Sequence, residues 1–269
     1  MSTETVNLAV KVRKKVLHMV HTANASHVGS CYSIVDILAV LFGSVMKFDS
    51  NQPKANSRDR FILSKGHAAA ALYATLAELN FIKLHDLDNF GADGSLFMTH
   101  INHKITGVEF STGSLGHGLP FGVGKSLAAK RLLKDWRTFV LLSDGEMDEG
   151  STWEALMFSA HHKLDNLIAI IDYNKLQSLN SIENTLGLEP LKDKLIAFGW
   201  SVKEVDGHNH NELIDTLGSA PWIKDKPSVV IAHTTKGKGI SFMENKVEWH
   251  YKSPNSEELS IGLKELGDL

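Results

Sequence analysis

The stretch "LLSDGEMDEGSTWEALMFSAHHKLDNLIAIIDYNK", residues 141–175, sets the architecture. "RTFVLLS" (137–143) and "NLIAIID" (166–172) are apolar, β-branched runs of strand length, and residues 151–163 between them read as a helix. A strand–helix–strand crossover is right-handed, so the two strands are expected to be parallel and adjacent. Asp144 then ends the first strand and Asn174 follows the second, 30 residues later, at one carboxyl-terminal edge of the sheet. Open α/β sheets bind ligands at that edge. A carboxylate and an amide with few other carboxylates suit Mg²⁺, which keeps waters and takes more ligands from substrate phosphates. Gly145 lets a phosphate approach the backbone, and the helix that follows offers free N–H groups to an anion. The pattern points to a metal-bound diphosphate.

On either side of this stretch, residues 4–21 and 33–47 read as helices. "RFILS" (60–64) is a short strand that feeds an alanine-rich helix in "KGHAAAALYATLAEL". "GSLGHGLPFGVGKSLAAKRLLKDW" is a glycine-rich turn running into another helix, and "WSVKEV" and "PSVVIAH" add two strands. Alternation of this kind predicts an α/β fold, a mainly parallel sheet with helices on both faces. The tail from Ser253 either docks as a last helix or stays mobile.

Composition narrows the classes. The chain has 269 residues, 43% hydrophobic and 22% charged, enough for a sizeable core. A net charge of −3 gives no basic footprint for nucleic acid or an anionic membrane. Cys31 is the single cysteine, so neither an intramolecular disulfide nor a cysteine zinc site can form. No signal peptide and no apolar run of membrane-spanning length are expected, which leaves the cytoplasm as default.

Competing motifs fail on spacing. "DGEMDEG" could be only an acidic turn. As a calcium loop starting at Asp144 it would have Glu149 where glycine is needed and Ala155 where a bidentate glutamate is needed. "GVGKS" (122–126) lacks the first glycine of a phosphate-binding loop, because Leu119 sits there. "GHGLPF" puts Phe121 where a dinucleotide fingerprint has its third glycine. Zinc is not expected, since no His-Glu-x-x-His motif exists.

With these residues laid out, "SDGEMDEGSTWEA…IIDYNKLQ" resembles the thiamine-diphosphate motif, with Ser143 in place of the usual first glycine. More specifically, the chain resembles the N-terminal half of transketolase. "NASHVGS" (24–30), "RDRFILSKGHAAAALY" (58–73), "GVEFSTGSLGHGLPFGVGKSLAAK" (107–130) and "MENKVEWH" (243–250) match family blocks in order. The resemblance implies a single diphosphate-binding domain over 1–269. It implies that Asp144, Asn174 and the Leu176 carbonyl hold Mg²⁺, with Ca²⁺ or Mn²⁺ as substitutes, and that Gly145 lies under the diphosphate of thiamine diphosphate. His67 and His250 would contact the phosphates or the reacting centre, and Gly113, Ser114 and Leu115 the aminopyrimidine ring. Glu149 matches a glutamate buried at the family's subunit interface. His27 and His100 match histidines that bind sugar hydroxyls and assist proton transfer. His103 is a rival for His100, because the family block reads "GHP" where this chain reads "THI". His117 replaces a common glutamine.

The implied activity is transfer of a two-carbon ketol unit from a ketose, or ketose phosphate, to an aldose. Such chemistry moves protons on and off sugar hydroxyls, which imidazole does best near neutral pH. Of the 14 histidines, His161, His162, His208 and His210 are expected to be structural or surface groups. The family's pyrimidine-binding and C-terminal domains find no counterpart here. The chain therefore looks like the N-terminal (α) subunit of a split transketolase. It is expected to be active only with a C-terminal (β) subunit, as a dimer of these chains in an α2β2 assembly. The α subunit of a 2-oxo-acid dehydrogenase and a non-catalytic homologue are the alternatives.

Overall fold

Five short strands form one sheet in the computed structural model, which describes residues 2–267. They are β1 (Arg60–Leu63), β2 (Thr138–Ser143), β3 (Leu167–Tyr173), β4 (Ser201–Asp206) and β5 (Ser228–His233). All pairs are parallel, in the order β1-β2-β3-β5-β4. The expected adjacency of β2 and β3 holds, with Ser143 opposite Asp172. Asp144 and Asn174 therefore emerge side by side.

The helices are α1 (Ser2–Ala23), α2 (Val28–Tyr32), α3 (Val35–Val40), α4 (Ala69–Glu78), α5 (Gly118–Arg131), α6 (Gly150–His161), α7 (Ile182–Thr185), α8 (Leu191–Ala197), α9 (His210–Gly218) and α10 (Ser256–Glu265). Successive strand residues point to opposite faces, and the core divides accordingly. Phe139, Leu141, Ile168 and Ile170 join the cluster built on α1, α3, α4 and α9. Val140, Leu142, Ala169 and Ile171 join the cluster built on α5, α6 and α8. Burial on both faces explains why β2 and β3 read as continuous apolar runs rather than alternating ones. Edge strand β4 keeps Lys203 and Glu204 exposed, charges that discourage pairing with another sheet.

Two expectations change, the helix over 33–47 and the lack of an apolar run of membrane-spanning length, and two are filled in, the segment between Asp144 and the crossover helix and the tail. The helix over 33–47 is broken: α2 ends at Tyr32, α3 starts at Val35, and 41–45 winds as a π-helix. The break lets the Ser33 hydroxyl donate to Asp172 at 2.7 Å. The segment after Asp144 is a 3₁₀ turn (Gly145–Asp148), and the α-helix begins only at Gly150. The tail docks: Asn255 and Glu258 form a reciprocal cap, and α10 packs on α1. Val28–Val45 is, over 18 residues, apolar enough to cross a membrane, contrary to the sequence reading. It is 89% buried inside the fold, which makes it core.

Two glycines let α5 lie close on the sheet. A Cβ on Gly118 would meet the Ser64 Oγ at 2.2 Å, and one on Gly122 would meet a Val140 methyl at 2.5 Å. Gly124, two residues on, faces open space. Gly122→Ala should therefore cost about 1–3 kcal/mol by overpacking. Gly124→Ala should be neutral or stabilise by up to about 1 kcal/mol. Urea denaturation of the two variants checks this, and equal effects would refute the close-packing account.

Candidate active site

The carboxyl-terminal edge of the sheet opens into a cleft lined by His27, Ser30, Lys65, His67, His100, Gly113, Leu115, Asp144, Gly145, Asn174, Leu176, Gln177, Lys236 and His250. Residues from eight separate stretches of sequence meet there. Asp144 is buried at the end of β2, where its carboxylate accepts the N–H groups of Gly145 (2.8 Å) and Lys175 (2.7 Å). Asn174 is buried beyond β3. Its Oδ1 accepts from the Leu176 N–H at 3.0 Å and its Nδ2 donates to Asp172 at 3.1 Å. These bonds aim both side chains and the Leu176 carbonyl at one place.

Facing them are four imidazoles. Ring centroids of His27 lie 5.0 Å from His250, 5.2 Å from His67 and 5.8 Å from His100. His27 adopts a left-handed backbone (φ 78°), uncommon for a side chain of this size. Its N–H donates to the His250 carbonyl at 2.8 Å, which ties the "NASHVGS" and "EWH" segments together. Gly66 of "SKGH" is equally constrained: a Cβ there would meet the Thr112 carbonyl oxygen at 2.3 Å. Strand β1 and the "TGSLG" loop are thus in backbone contact.

The structure separates the rival histidines. His100 stands at the cleft, with its ring beside Gly113. His103 is exposed, and its Nδ1 pairs with the Ser111 hydroxyl at 2.7 Å. Ser114, Glu149 and His117 do not line the cleft. Ser114 and Glu149 are exposed in the single chain, and His117 folds back on the carbonyls of Ser114 and Leu115. The buried glutamate of this region is Glu146, whose carboxylate accepts from the Ser64 hydroxyl and, at 2.9 Å, from the Gly116 N–H.

The family model described as transketolase, thiamine diphosphate binding domain, matches residues 4–267. The chain belongs to the transketolase family. It is 41% identical to a subunit of the apulose-4-phosphate transketolase of Phocaeicola vulgatus, over all of this chain and 96% of that one. It is 38% identical to the 6-deoxy-6-sulfo-D-fructose transketolase subunit SqwG of Clostridium sp. (strain MSTE9), over 99% of this chain and 98% of that one. The structure of transketolase from Leishmania mexicana superposes with a TM-score of 0.92 at 30% identity, covering 98% of this chain and 41% of that one.

For a transketolase domain the charges around Asp144 are informative. Burial, with Asp172 nearby, pushes the Asp144 carboxyl up to about 7. No side-chain cation pairs with it directly among the described residues. A buried carboxylate beside an amide oxygen and a backbone carbonyl fits a hard divalent cation better than it fits an empty core. The Leu176 carbonyl accepts from the Lys236 ammonium at 3.2 Å, so a positive group already sits at that oxygen. Among the described residues no cluster of three or more His, Cys, Asp or Glu could hold a metal ion.

The blocks "NASHVGS", "SKGH" and "EWH" locate His27, His67 and His250, and although the first two contain Ser30 and Lys65, nothing in the sequence marks Ser30, Lys65, Asp172 and Lys236 as a buried network. Lys65 is buried and donates to Asp172 at 2.5 Å and to the Ser30 carbonyl at 3.1 Å. Lys236 is 1% exposed and donates to the Gln177 carbonyl at 2.9 Å and to His250 Nδ1 at 3.0 Å. Burial, with Lys65 nearby, brings Lys236 down to about 8. His250 is thereby the Nε2–H tautomer, with its donor turned away from Lys236.

Burial is the main cause that holds these imidazoles neutral. It lowers His27 to about 4, aided by His100 and the two lysines, and His250 to about 3, aided by Lys236. His67 is held well below its ordinary value by burial and then Lys65. A histidine whose pKa falls on folding stabilises the fold above its unfolded value and loses that stability as pH drops toward the folded value. Asp144 acts in the opposite sense, since its raised pKa erodes stability as pH climbs from about 4 to about 7. The urea midpoint of the cofactor-free chain should therefore fall between pH 6.5 and 4. The fall should be shallower in a His27→Ala, His250→Ala double variant and steeper in Asp144→Ala. Parallel profiles for all three proteins would contradict this electrostatic assignment.

Proposed function

We propose that this chain is the N-terminal, thiamine-diphosphate-binding subunit of a split transketolase, which moves a two-carbon ketol unit from a ketose to an aldose. The observation that carries it is the meeting, in one cleft, of the Asp144–Asn174–Leu176 oxygen donors with His27, His67, His100 and His250. Asp144, Asn174 Oδ1 and the Leu176 carbonyl would hold Mg²⁺, with Gly145 leaving room for the diphosphate. When bound, the cofactor supplies the nucleophilic carbon and the electron sink. The chain's own part is orientation and proton transfer. His27 and His100 hydrogen-bond substrate hydroxyls, and as neutral imidazoles they can accept protons at pH 7. His67 and His250 lie nearer the diphosphate end, where Lys65 and Lys236 add positive charge. No observation favours the 2-oxo-acid dehydrogenase reading, since decarboxylation needs no such set of sugar-hydroxyl partners.

A partner chain would carry the pyrimidine-binding and C-terminal domains. The relatives matched along almost their whole length are named as transketolase subunits. The cleft, about 190 Å³, is smaller than the roughly 300–1,000 Å³ of sites that enclose a drug-sized ligand. It suits a diphosphate with its metal, leaving the ring system to a second wall. An apolar groove between α5 and α6, lined by Pro120, Val123, Leu127, Ala155 and Phe158, is the surface proposed for association, with Glu149 exposed near it. We propose an α2β2 assembly working in the cytoplasm, with two of these chains joined through that groove. The names of the relatives specify ketoses with a phosphate or sulfonate terminus, and we assign the donor here to that class.

Asp144→Ala should abolish Mg²⁺-dependent cofactor binding while circular dichroism stays native. His27→Ala and His100→Ala should lower turnover by about 10²–10⁴-fold with cofactor affinity largely kept. His103→Ala should leave turnover unchanged. The chain purified alone, given thiamine diphosphate, Mg²⁺ and a sugar-phosphate pair, should be inert, and activity should appear when a chain carrying the pyrimidine-binding domain is added. Robust turnover by the isolated chain would sink the split-enzyme reading.

A further inference from the structure

Asp36 lies behind the cleft and is 5% exposed. Four donors meet its carboxylate. Arg13 binds it with both terminal nitrogens, at 2.9 and 2.6 Å, His208 with Nδ1 at 2.7 Å, and His210 with Nε2 at 3.1 Å. Asp36 belongs to α3, Arg13 to α1, His208 to the turn between β4 and α9, and His210 to the first residue of α9. His210 closes the cluster on Thr5, whose hydroxyl is 2.8 Å from its Nδ1.

His208 does not stop at the carboxylate. Its Nε2 lies 2.8 Å from the backbone nitrogen of Thr235. A backbone N–H can only donate, so Nε2 is the acceptor and Nδ1 carries the proton that goes to Asp36. The imidazole is neutral and fixed in one tautomer by its two partners. Arg13 holds the far end of the same segment, donating from Nε to the Lys238 carbonyl at 3.0 Å.

The segment held in this way is 234–239, "TTKGKG". It has no regular structure, and Gly237 and Gly239 both have positive φ (79° and 100°). With no regular structure, its position depends on external anchors, which include the Gly237 N–H donating to the Gly29 carbonyl at 3.0 Å and the Lys236 carbonyl accepting from the Asn245 N–H at 2.9 Å. Between Thr235 and Lys238 sits Lys236, whose ammonium reaches the Leu176 and Gln177 carbonyls and His250. One residue before the anchor, the Thr234 hydroxyl donates to Asp172.

We infer that His208 is a positioning residue of the cofactor cleft: braced by Asp36, its Nε2 fixes Thr235 and so aims Lys236 at the Leu176 carbonyl and His250. Its effect on cofactor binding rests on the proposed reading of the cleft as a thiamine diphosphate site, whereas the anchoring itself does not. General packing does not account for the contact, because α1, α3 and α9 already join through Val16, Leu38, Leu213 and Leu217 in the same core.

Two substitutions divide the imidazole. An asparagine amide reaches the place of Nδ1 but not that of Nε2, and a glutamine amide reaches the place of Nε2. His208→Asn therefore keeps the Asp36 bond and loses the anchor, and His208→Gln does the reverse. Hydrogen exchange of the Thr235 amide is read in the cofactor-free full chain, with urea midpoints as the stability reference. Protection should survive in His208→Gln and disappear in His208→Asn. Mg²⁺-dependent thiamine diphosphate affinity should weaken about three- to tenfold in His208→Asn, the equivalent of one lost hydrogen bond, and stay within about twofold of wild type in His208→Gln. Equal protection in the two variants overturns the anchor. Differing protection with equal affinity overturns its link to the cleft. Absence of cofactor binding in the wild-type chain refutes the cofactor reading and the link with it, and the exchange data then stand as the test of the anchor alone.

Discussion

Asp172 is the charge on which the cleft depends. It ends the buried, central strand β3 and is 0% exposed. Lys65 from the end of β1, Ser33 from the break between α2 and α3, Thr234 from the end of β5 and Asn174 from the loop after β3 all donate to it. Those four segments carry most of the cleft. A buried carboxylate is costly unless ionically paired and fully hydrogen-bonded. The chain is therefore obliged to bring all four segments to one point, and only this arrangement satisfies the charge. Burial raises the pKa of Asp172, but the Lys65 ammonium and the hydroxyl donors outweigh it and hold the carboxyl below its ordinary value. The pair adds register more than net stability, since burial cancels much of its Coulomb gain.

The same logic separates Asp172 from Asp144, which lies across the β2–β3 ladder at the same edge. Asp172 has its cation in the protein. Asp144 has only backbone N–H groups, and its carboxyl is pushed up instead. Lys65 pairs with Asp172, and Lys236 lies near both carboxylates without an ion pair to either, so the deficit of paired charge falls on the residue that faces the cleft. The neighbouring imidazoles cannot fill it, because burial and the two lysines keep them neutral. In the proposed cofactor complex a divalent cation brought in with a diphosphate would resolve the deficit, and the phosphates would neutralise it in turn.

Much of this is legible in the sequence. The two apolar runs and the length between them place Asp144 and Asn174 together, because parallel neighbours joined by a crossover allow no other edge. The family blocks locate His27, His67, His100 and His250, and the structure gathers all four. What stays hidden has physical causes. Asp172 terminates a run that reads simply as a buried strand, and its partners are distant in sequence. Lys236 lies in a lysine- and glycine-rich turn with no periodic pattern to mark it as buried. The left-handed backbone of His27 has no sequence signal, since it is enforced by a bond to the His250 carbonyl. The break at Ser33 escapes helical periodicity because the residues on both sides are apolar and buried.

These hidden residues share a feature that bears on how the cleft works. Lys65, Asp172, Thr234 and Lys236 contribute few apolar contacts and many directed hydrogen bonds. They form a continuous polar layer between the cleft and the apolar core that contains α1, α3 and α9. Directed bonds of this sort have one satisfied arrangement, whereas apolar packing tolerates several. The histidines in front of the layer are consequently held at ring spacings of 5.0–5.8 Å, with the tautomer of His250 dictated by Lys236. Proton transfer is sensitive to both donor identity and distance. The polar layer therefore sets the chemistry of the imidazoles it supports, although its members other than Lys65 and Lys236 do not line the cleft themselves.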